Sequence, residues 1–178
     1  MKVFLLFFIL PWSFSAYTSE TLSTKDGGYI VYYNTECSST SGKGCDMVLE
    51  KYSANKRLEW SKKYGGNSWD YIEDLIEAPD GYYLLGNTSS YGKGNLDVYL
   101  IRLNIKGKTI WEKTYGGFFN EYGRKLSWSS YVKGSLIIEG ERQICLTENV
   151  SDKCVYKPFV FRVDADGQTD SYPWGKEF

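Results

Sequence analysis

The stretch Trp60-Ser61-Lys62-Lys63-Tyr64-Gly65-Gly66 returns as Trp111-Glu112-Lys113-Thr114-Tyr115-Gly116-Gly117, at an interval of 51 residues. A fixed interval near fifty means that one supersecondary unit has been copied and that its copies stack, because a single such unit cannot bury its apolar face alone. The register extends beyond the anchor. Asp46-Met47-Val48-Leu49-Glu50-Lys51-Tyr52 matches Asp97-Val98-Tyr99-Leu100-Ile101-Arg102-Leu103 at the same interval, and Asp26-Gly27-Gly28-Tyr29-Ile30 is echoed by Asp80-Gly81-Tyr82-Tyr83-Leu84.

The units read as strands. The chain holds 16 Tyr, 9 Phe and 6 Trp with 18 Gly and only 4 Pro, which suits pleated, half-buried surfaces joined by tight turns. In the first unit, strands are expected over residues 19–24, 29–33, 47–52 and 58–64. The last of these alternates apolar with polar residues, which would point Leu58, Trp60 and Tyr64 inward. In the second unit they fall over 71–77, 82–86, 97–103 and 109–115. A helix over 71–77 is the rival reading, since Ile72, Leu75 and Ile76 also fit helical spacing. The third unit keeps the order, with strands over 125–130, 135–139 and 158–163, and Asp164-Ala165-Asp166-Gly167 stands where Asn104-Ile105-Lys106-Gly107 stood. Its closing Trp-x-x-x-Tyr strand is missing; only Tyr172-Pro173-Trp174-Gly175 remains of it, so the last unit is either incomplete or completed by the N-terminal strand. The expected architecture is all-β: about three four-stranded antiparallel repeats over residues 17–66, 67–117 and 118–178, forming one domain.

Residues 1–16 begin with Lys2, continue as an apolar run from Val3 to Leu10 and end in small residues, the pattern of a secretory signal peptide. Cleavage after Ser15 or Ala16 would leave a chain without a membrane span, because the apolar run is too short to cross a bilayer. Four cysteines in an exported chain imply two disulfides, for which counting alone allows three pairings. The repeat register selects Cys37 with Cys45 and Cys145 with Cys154, since each pair falls in the loop between the second and third strands of its unit.

Together, the Trp-x-x-x-Tyr-Gly-Gly strand, the Asp-Gly turn, the Asn-Thr-Ser-rich loop and the late Asp-x-x-Leu strand resemble the β-propeller-like repeats of many secreted bacterial proteins. The resemblance covers the first two units well and the third loosely, and it implies a propeller-like fold and export. Closed propellers usually have four to eight blades. Three units therefore leave open a compact or open array, a sandwich-like stack, or a homodimer that completes a larger ring.

The chemistry of the residues points away from catalysis. With no His in the chain, Ser/His/Asp and Cys/His machinery is excluded, and no phosphate loop, dinucleotide fingerprint or Gly-x-Ser-x-Gly is present. The carboxylate pairs Glu73/Asp74 and Asp164/Asp166 read as strand-edge and turn charges. Asp164 to Gly167 lacks the later ligands of a calcium loop, so neither a metal nor a cofactor is expected. A net charge of −1 with interspersed signs carries no footprint for nucleic acid. Asn87-Thr88-Ser89 and Asn149-Val150-Ser151 spell glycosylation sequons.

Surface recognition remains. The residues after each Tyr-Gly-Gly are rich in aromatics and Asn: Asn67, Trp69 and Tyr71 in one case, Phe118, Phe119, Asn120 and Tyr122 in the other, with Tyr91 from the second unit's loop. Rigid aromatics beside Asn and Gly give large contact area at low side-chain entropy, as protein-binding loops do. The expected function is an exported, non-catalytic module that binds another protein in the envelope or extracellular space, as an inhibitor or a toxin-neutralising immunity protein. A carbohydrate-binding module stacking sugars on Trp69, Trp128 or Trp174 is the alternative, and a carboxylate-based hydrolase a more distant one.

Overall fold

The computed structural model describes residues 19–35, 37, 44–145 and 153–169. They form three antiparallel sheets and no helix. The first contains β1 (Glu20–Ser23), β2 (Tyr29–Asn34), β3 (Met47–Tyr52) and β4 (Leu58–Tyr64). The second contains β5 (Asp70–Ala78), β6 (Gly81–Thr88), β7 (Asp97–Asn104) and β8 (Thr109–Tyr115), and the third β9 (Glu121–Trp128), β10 (Leu136–Ile144) and β11 (Val155–Val163). Within each sheet the strands lie in chain order and the sheets remain separate, so the array is open. Residues 71–77 are strand, not helix.

The sheets stack through two cores. Ile30, Tyr32, Met47, Leu49 and Tyr64 of the first meet Leu75, Tyr82, Leu84, Tyr99 and Ile101 of the second. The opposite face of the second sheet, with Tyr83, Leu85, Val98, Leu100 and Tyr115, meets Leu126, Leu136, Ile138, Phe159, Phe161 and Val163 of the third. The second sheet is thus covered on both sides, and all of β6 is buried. That explains why Tyr82-Tyr83-Leu84-Leu85 does not alternate: a strand between two cores has no wet face.

The repeated Trp-x-x-x-Tyr strand joins one sheet to the next. Trp60 donates its indole N–H to the Ile105 carbonyl at 3.1 Å, and the Tyr64 hydroxyl donates to the Gly107 carbonyl at 2.7 Å, both acceptors lying in the turn between β7 and β8. The second joint repeats this, with Trp111 bonded to Ala165 at 3.2 Å and Tyr115 to Gly167 at 2.7 Å. Burial pushes both phenols above their ordinary pKa, so they remain donors. Each receiving turn needs its glycine. Gly107 and Gly167 have φ of 70° and 73°, and a Cβ there would stand 2.9 Å and 2.8 Å from the rings of Trp60 and Trp111. In the first sheet the matching turn position is Lys56, exposed and with φ 58°, the one non-glycine residue of positive φ among the described residues.

Further inter-sheet bonds come from side chains that cap the next unit's first strand. Asn34 accepts from the Ile72 N–H at 2.8 Å and Asn87 from the Gly123 N–H at 2.7 Å, while Asp74 accepts from the Leu126 N–H at 2.8 Å. The double glycine closes a tight corner: the Gly66 N–H donates to Asp70 at 2.7 Å and the Gly117 N–H to Glu121 at 2.9 Å.

Several expectations are corrected. Leu58 is 54% exposed rather than inward, because the pairing of β3 with β4 shifts register between Lys51 and Tyr52 and a bulge separates Leu58 from the phase of Trp60 and Tyr64. In the third unit β9 starts at Glu121, not residue 125, and β10 and β11 run to Ile144 and from Val155, so their hairpin reaches the disulfide loop. The N-terminal strand pairs with β2 and does not complete the third sheet. That sheet has three strands among the described residues, with Pro158 in its edge strand β11, where a missing N–H is tolerated. Asn87 is 1% exposed in β6, so its sequon is inaccessible in the folded chain. The signal segment 1–16, the remnant Tyr172–Gly175 and Asn149 lie outside the described residues. Both cysteine pairs are bonded as the register selects, Cys37 to Cys45 and Cys145 to Cys154.

Gly107→Ala is expected to lower unfolding free energy by about 2 kcal/mol, combining left-handed backbone strain with the displaced Trp60 ring. Lys56→Gly, which relieves strain at an exposed turn, is expected to raise it by about 0.5–1 kcal/mol. Urea denaturation of the two variants checks both signs.

Candidate binding groove

The first strand of each unit lies on the same edge of its sheet, and β5 and β9 run close enough to share side-chain contacts. Asp70, at the start of β5, anchors that edge. It is fully buried, and its carboxylate accepts from the Thr88 hydroxyl at 2.5 Å and the Ser90 hydroxyl at 2.7 Å as well as from Gly66. Ser89 and Ser90 also accept from the N–H groups of Trp69 and Ser68, at 3.0 Å and 2.9 Å, so the loop before β5 is held firmly.

Between β5 and β9 opens a groove of about 510 Å³. Trp69 and Tyr71 stack along one wall, ring centres 6.1 Å apart and planes 24° from parallel. Tyr122 forms the other, with the Arg124 guanidinium 4.8 Å from its ring centre and Tyr156 at 5.8 Å. Arg124 bridges Glu73 at 3.1 Å and Glu141 at 2.9 Å. Burial raises the Glu73 carboxyl, and Arg124 and the Asn87 amide oppose that rise. Asn87, one of the polar lining groups, donates to Glu73 at 2.8 Å while holding Gly123. The result is an aromatic-walled groove whose polar groups are already paired with one another. Among the described residues no group of three His, Cys, Asp or Glu could hold a metal ion.

Of the residues singled out in the sequence, Trp69, Tyr71 and Tyr122 line this groove. Asn67 is exposed in the loop preceding Trp69, and Phe118 is 77% exposed while Phe119 is half-buried. Asn120 is committed to the fold: its side-chain amide donates to Gln143 Oε1 at 2.8 Å, and its backbone carbonyl accepts from the Gln143 backbone N–H at 2.8 Å. Tyr91 packs on Tyr99 at 5.5 Å and donates to the Gly65 carbonyl at 3.1 Å, although 43% of its surface is exposed. Sequence reasoning missed Glu73 and Arg124 as lining groups. Their signal was present: Tyr71 and Tyr122, and likewise Glu73 and Arg124, occupy the same repeat positions one interval apart, so stacked first strands bring them face to face.

At the Asp that opens the third strand of each unit the two copies differ. Asp46 pairs with Lys63 at 2.5 Å. The corresponding Asp97 is 1% exposed, and Thr114 stands where the lysine would be. Burial pushes the Asp97 carboxyl up to about 7, with the backbone N–H of Lys93 opposing. The carboxylates of Asp97 and Glu121 both lie close against Gly116. No protein-family model matches the chain, and no curated protein matches it in sequence.

The Asp97 pKa is raised above its ordinary 3.8, so its contribution to stability is complete below about pH 4 and is lost progressively as pH rises to about 7. Melting temperature is therefore expected to fall over that window. Thr114→Lys, which copies the first unit's pair, should flatten the fall, and pH-resolved thermal denaturation of the two proteins checks it.

Proposed function

We propose that the chain is an exported, non-catalytic binding module that engages another protein in the periplasm or extracellular space, acting as an envelope inhibitor or as an immunity protein against an incoming toxin. The observation that carries this reading is the groove walled by Trp69, Tyr71 and Tyr122, whose rings are held by stacking on one another and on Arg124 and Tyr156, on a loop fixed by the Gly66 and Trp69 N–H bonds. Preorganised aromatics lose little side-chain entropy on association, which is the cost that otherwise erodes protein affinity. The exposed Phe118 adds an apolar anchor in the loop leading to β9. Export is supported by the apolar residues 3–10 and by the two disulfides, which persist in oxidising compartments. No helix among the described residues is long and apolar enough to cross a membrane. The resemblance to propeller-like repeats of secreted bacterial proteins belongs to the same reading, and so does action without catalysis, since the chain has no His.

The test is affinity capture from envelope extract with the mature chain as bait. One partner is expected to elute from the wild type and to be lost from Trp69→Ala/Tyr122→Ala and weakened in Phe118→Ala/Phe119→Ala, at unchanged melting temperature. An empty eluate under native conditions, or capture indifferent to all four changes, would contradict the proposal.

A further inference from the structure

At the end of the array opposite the Tyr-Gly-Gly corners, where the hairpin turns gather, a second cavity of about 540 Å³ opens between the second and third sheets. Its floor is aromatic. The Tyr83 ring centre lies 5.9 Å from that of Trp111 and 5.8 Å from that of Trp128, the latter nearly edge-on at 83°. The polar ends of the first two rings are occupied, since Trp111 donates to the Ala165 carbonyl at 3.2 Å and Tyr83 to the same oxygen at 3.4 Å. These rings are therefore fixed, and Trp128 is 42% exposed beside them. Around the floor stand the cations Lys25, Arg102 and Lys133 and the carboxylates Glu77, Asp80 and Asp166.

The equivalent place at the joint between the first and second sheets is built differently. There Lys51 is 2% exposed, paired with Asp26 at 2.8 Å and covered by Glu59 at 3.3 Å. One repeat later Arg102 replaces Lys51 and Asp80 replaces Asp26, and these two again pair. The covering carboxylate has gone: Ile110 occupies the position of Glu59, is 54% exposed, and lines the cavity. Arg102 is kept in place from below, donating to the carbonyls of Tyr82 at 3.1 Å and Leu103 at 2.6 Å with its guanidinium 4.5 Å from the Tyr83 ring centre. The floor differs as well: by the strand registers Ile30 of the first joint stands where Tyr83 does and Glu77 where Trp128 does, so the second joint gains two rings and loses the covering carboxylate.

We propose that this turn-end cavity binds a neutral saccharide, as a site separate from the protein-binding groove and going beyond that reading. The exposed flat face of Trp128 matches the C–H face of a pyranose ring, with Trp111 and Tyr83 fixed behind it. The three cations and three carboxylates balance, so the rim carries no net charge to favour an anion or a cation over a neutral ligand. A polyhydroxylated neutral ligand can donate to Asp80, Asp166 or Glu77 and accept from Lys25 or Lys133 at once. The volume falls in the range of small-molecule pockets, roughly 300–1,000 Å³. The opposite charges on the rim set ring orientation, while stacking supplies the contact area.

The test is titration of the protein's tryptophan fluorescence with maltose, cellobiose, lactose and chitobiose, followed by the same titration on variants. At least one sugar is expected to give a saturable change. Trp128→Ala and, independently, Ile110→Glu are each expected to weaken it by roughly tenfold or more. Ile110→Glu rebuilds an arrangement the first joint already tolerates, so it retains the fold, and thermal denaturation verifies this. Trp69→Ala/Tyr122→Ala should leave sugar affinity unchanged, which separates this site from the protein-binding groove. Absence of saturable binding by all four sugars up to tens of millimolar would overturn the proposal. Binding that neither Trp128→Ala nor Ile110→Glu weakens would equally overturn it.

Discussion

The architecture depends on a clasp in which a Trp and a Tyr from the last strand of one sheet close on a glycine turn of the next. The indole and the phenol each satisfy a turn carbonyl, and the missing side chain of Gly107 or Gly167 lets the indole lie against the backbone. Hydrophobic burial alone would hold the sheets together without fixing how they face one another, because it is not directional. The two hydrogen bonds of each clasp supply the direction, and the Asn caps at Ile72 and Gly123 and the Asp74 bond to Leu126 reinforce it nearer the inner edge. Lys56 fits this account: its turn in the first sheet has positive φ but a side chain that would obstruct a ring of the Trp60 kind. The third sheet correspondingly shows no Trp-x-x-x-Tyr strand among its described residues.

Because the joints repeat, differences between them are informative. The clasp is nearly identical at both, yet the charges around it are not. At the turn end Glu59 corresponds to Ile110, and Ile30 and Glu77 correspond to Tyr83 and Trp128, so a covered ion cluster at one joint stands where the other has an open aromatic floor. At the loop end Lys63 becomes Thr114 and a paired carboxylate becomes a buried one whose ionisation opposes the fold. The clasp is kept while its surroundings diverge, in the core as well as at the rim: Ile30 of the first sheet corresponds to Tyr83 of the second. Both candidate sites lie where the second and third sheets meet.

Much of this was legible in the residues. The interval from Trp60 to Trp111 marked the repeat, the Asp-Gly and Asn-x-x-Gly turns marked the hairpins, and the register paired the cysteines. The strands over 47–52, 58–64 and 109–115 have their expected limits, because each is bounded by turn residues. The third unit was read too short: Glu121-Tyr122-Gly123-Arg124 does not look like a strand by composition, and it is held as one by the Glu121 bond to Gly117 and the Asn87 cap on Gly123, contacts made across sequence distance. Leu58 was misplaced because a bulge breaks period two without any local mark. The groove is half visible in the sequence, through Trp69, Tyr71 and Tyr122, but Glu73 reads there as a strand-edge charge and Arg124 carries no mark, because their pairing is made only where first strands of successive units lie side by side. The turn-end cavity had no local signal beyond Trp128, since Tyr83, Arg102 and Trp111 converge on it from three different strands.

The claim that the clasp orders each sheet against the next is tested most directly by hydrogen exchange, read by mass spectrometry, on Tyr115→Phe beside the wild type. This change removes one hydroxyl and leaves the ring in its core. The account predicts faster exchange in the turn at Gly167 and in β9 to β11, with β1 to β4 unchanged. Exchange that is unaltered throughout, or accelerated as much in the first sheet as in the third, would contradict it.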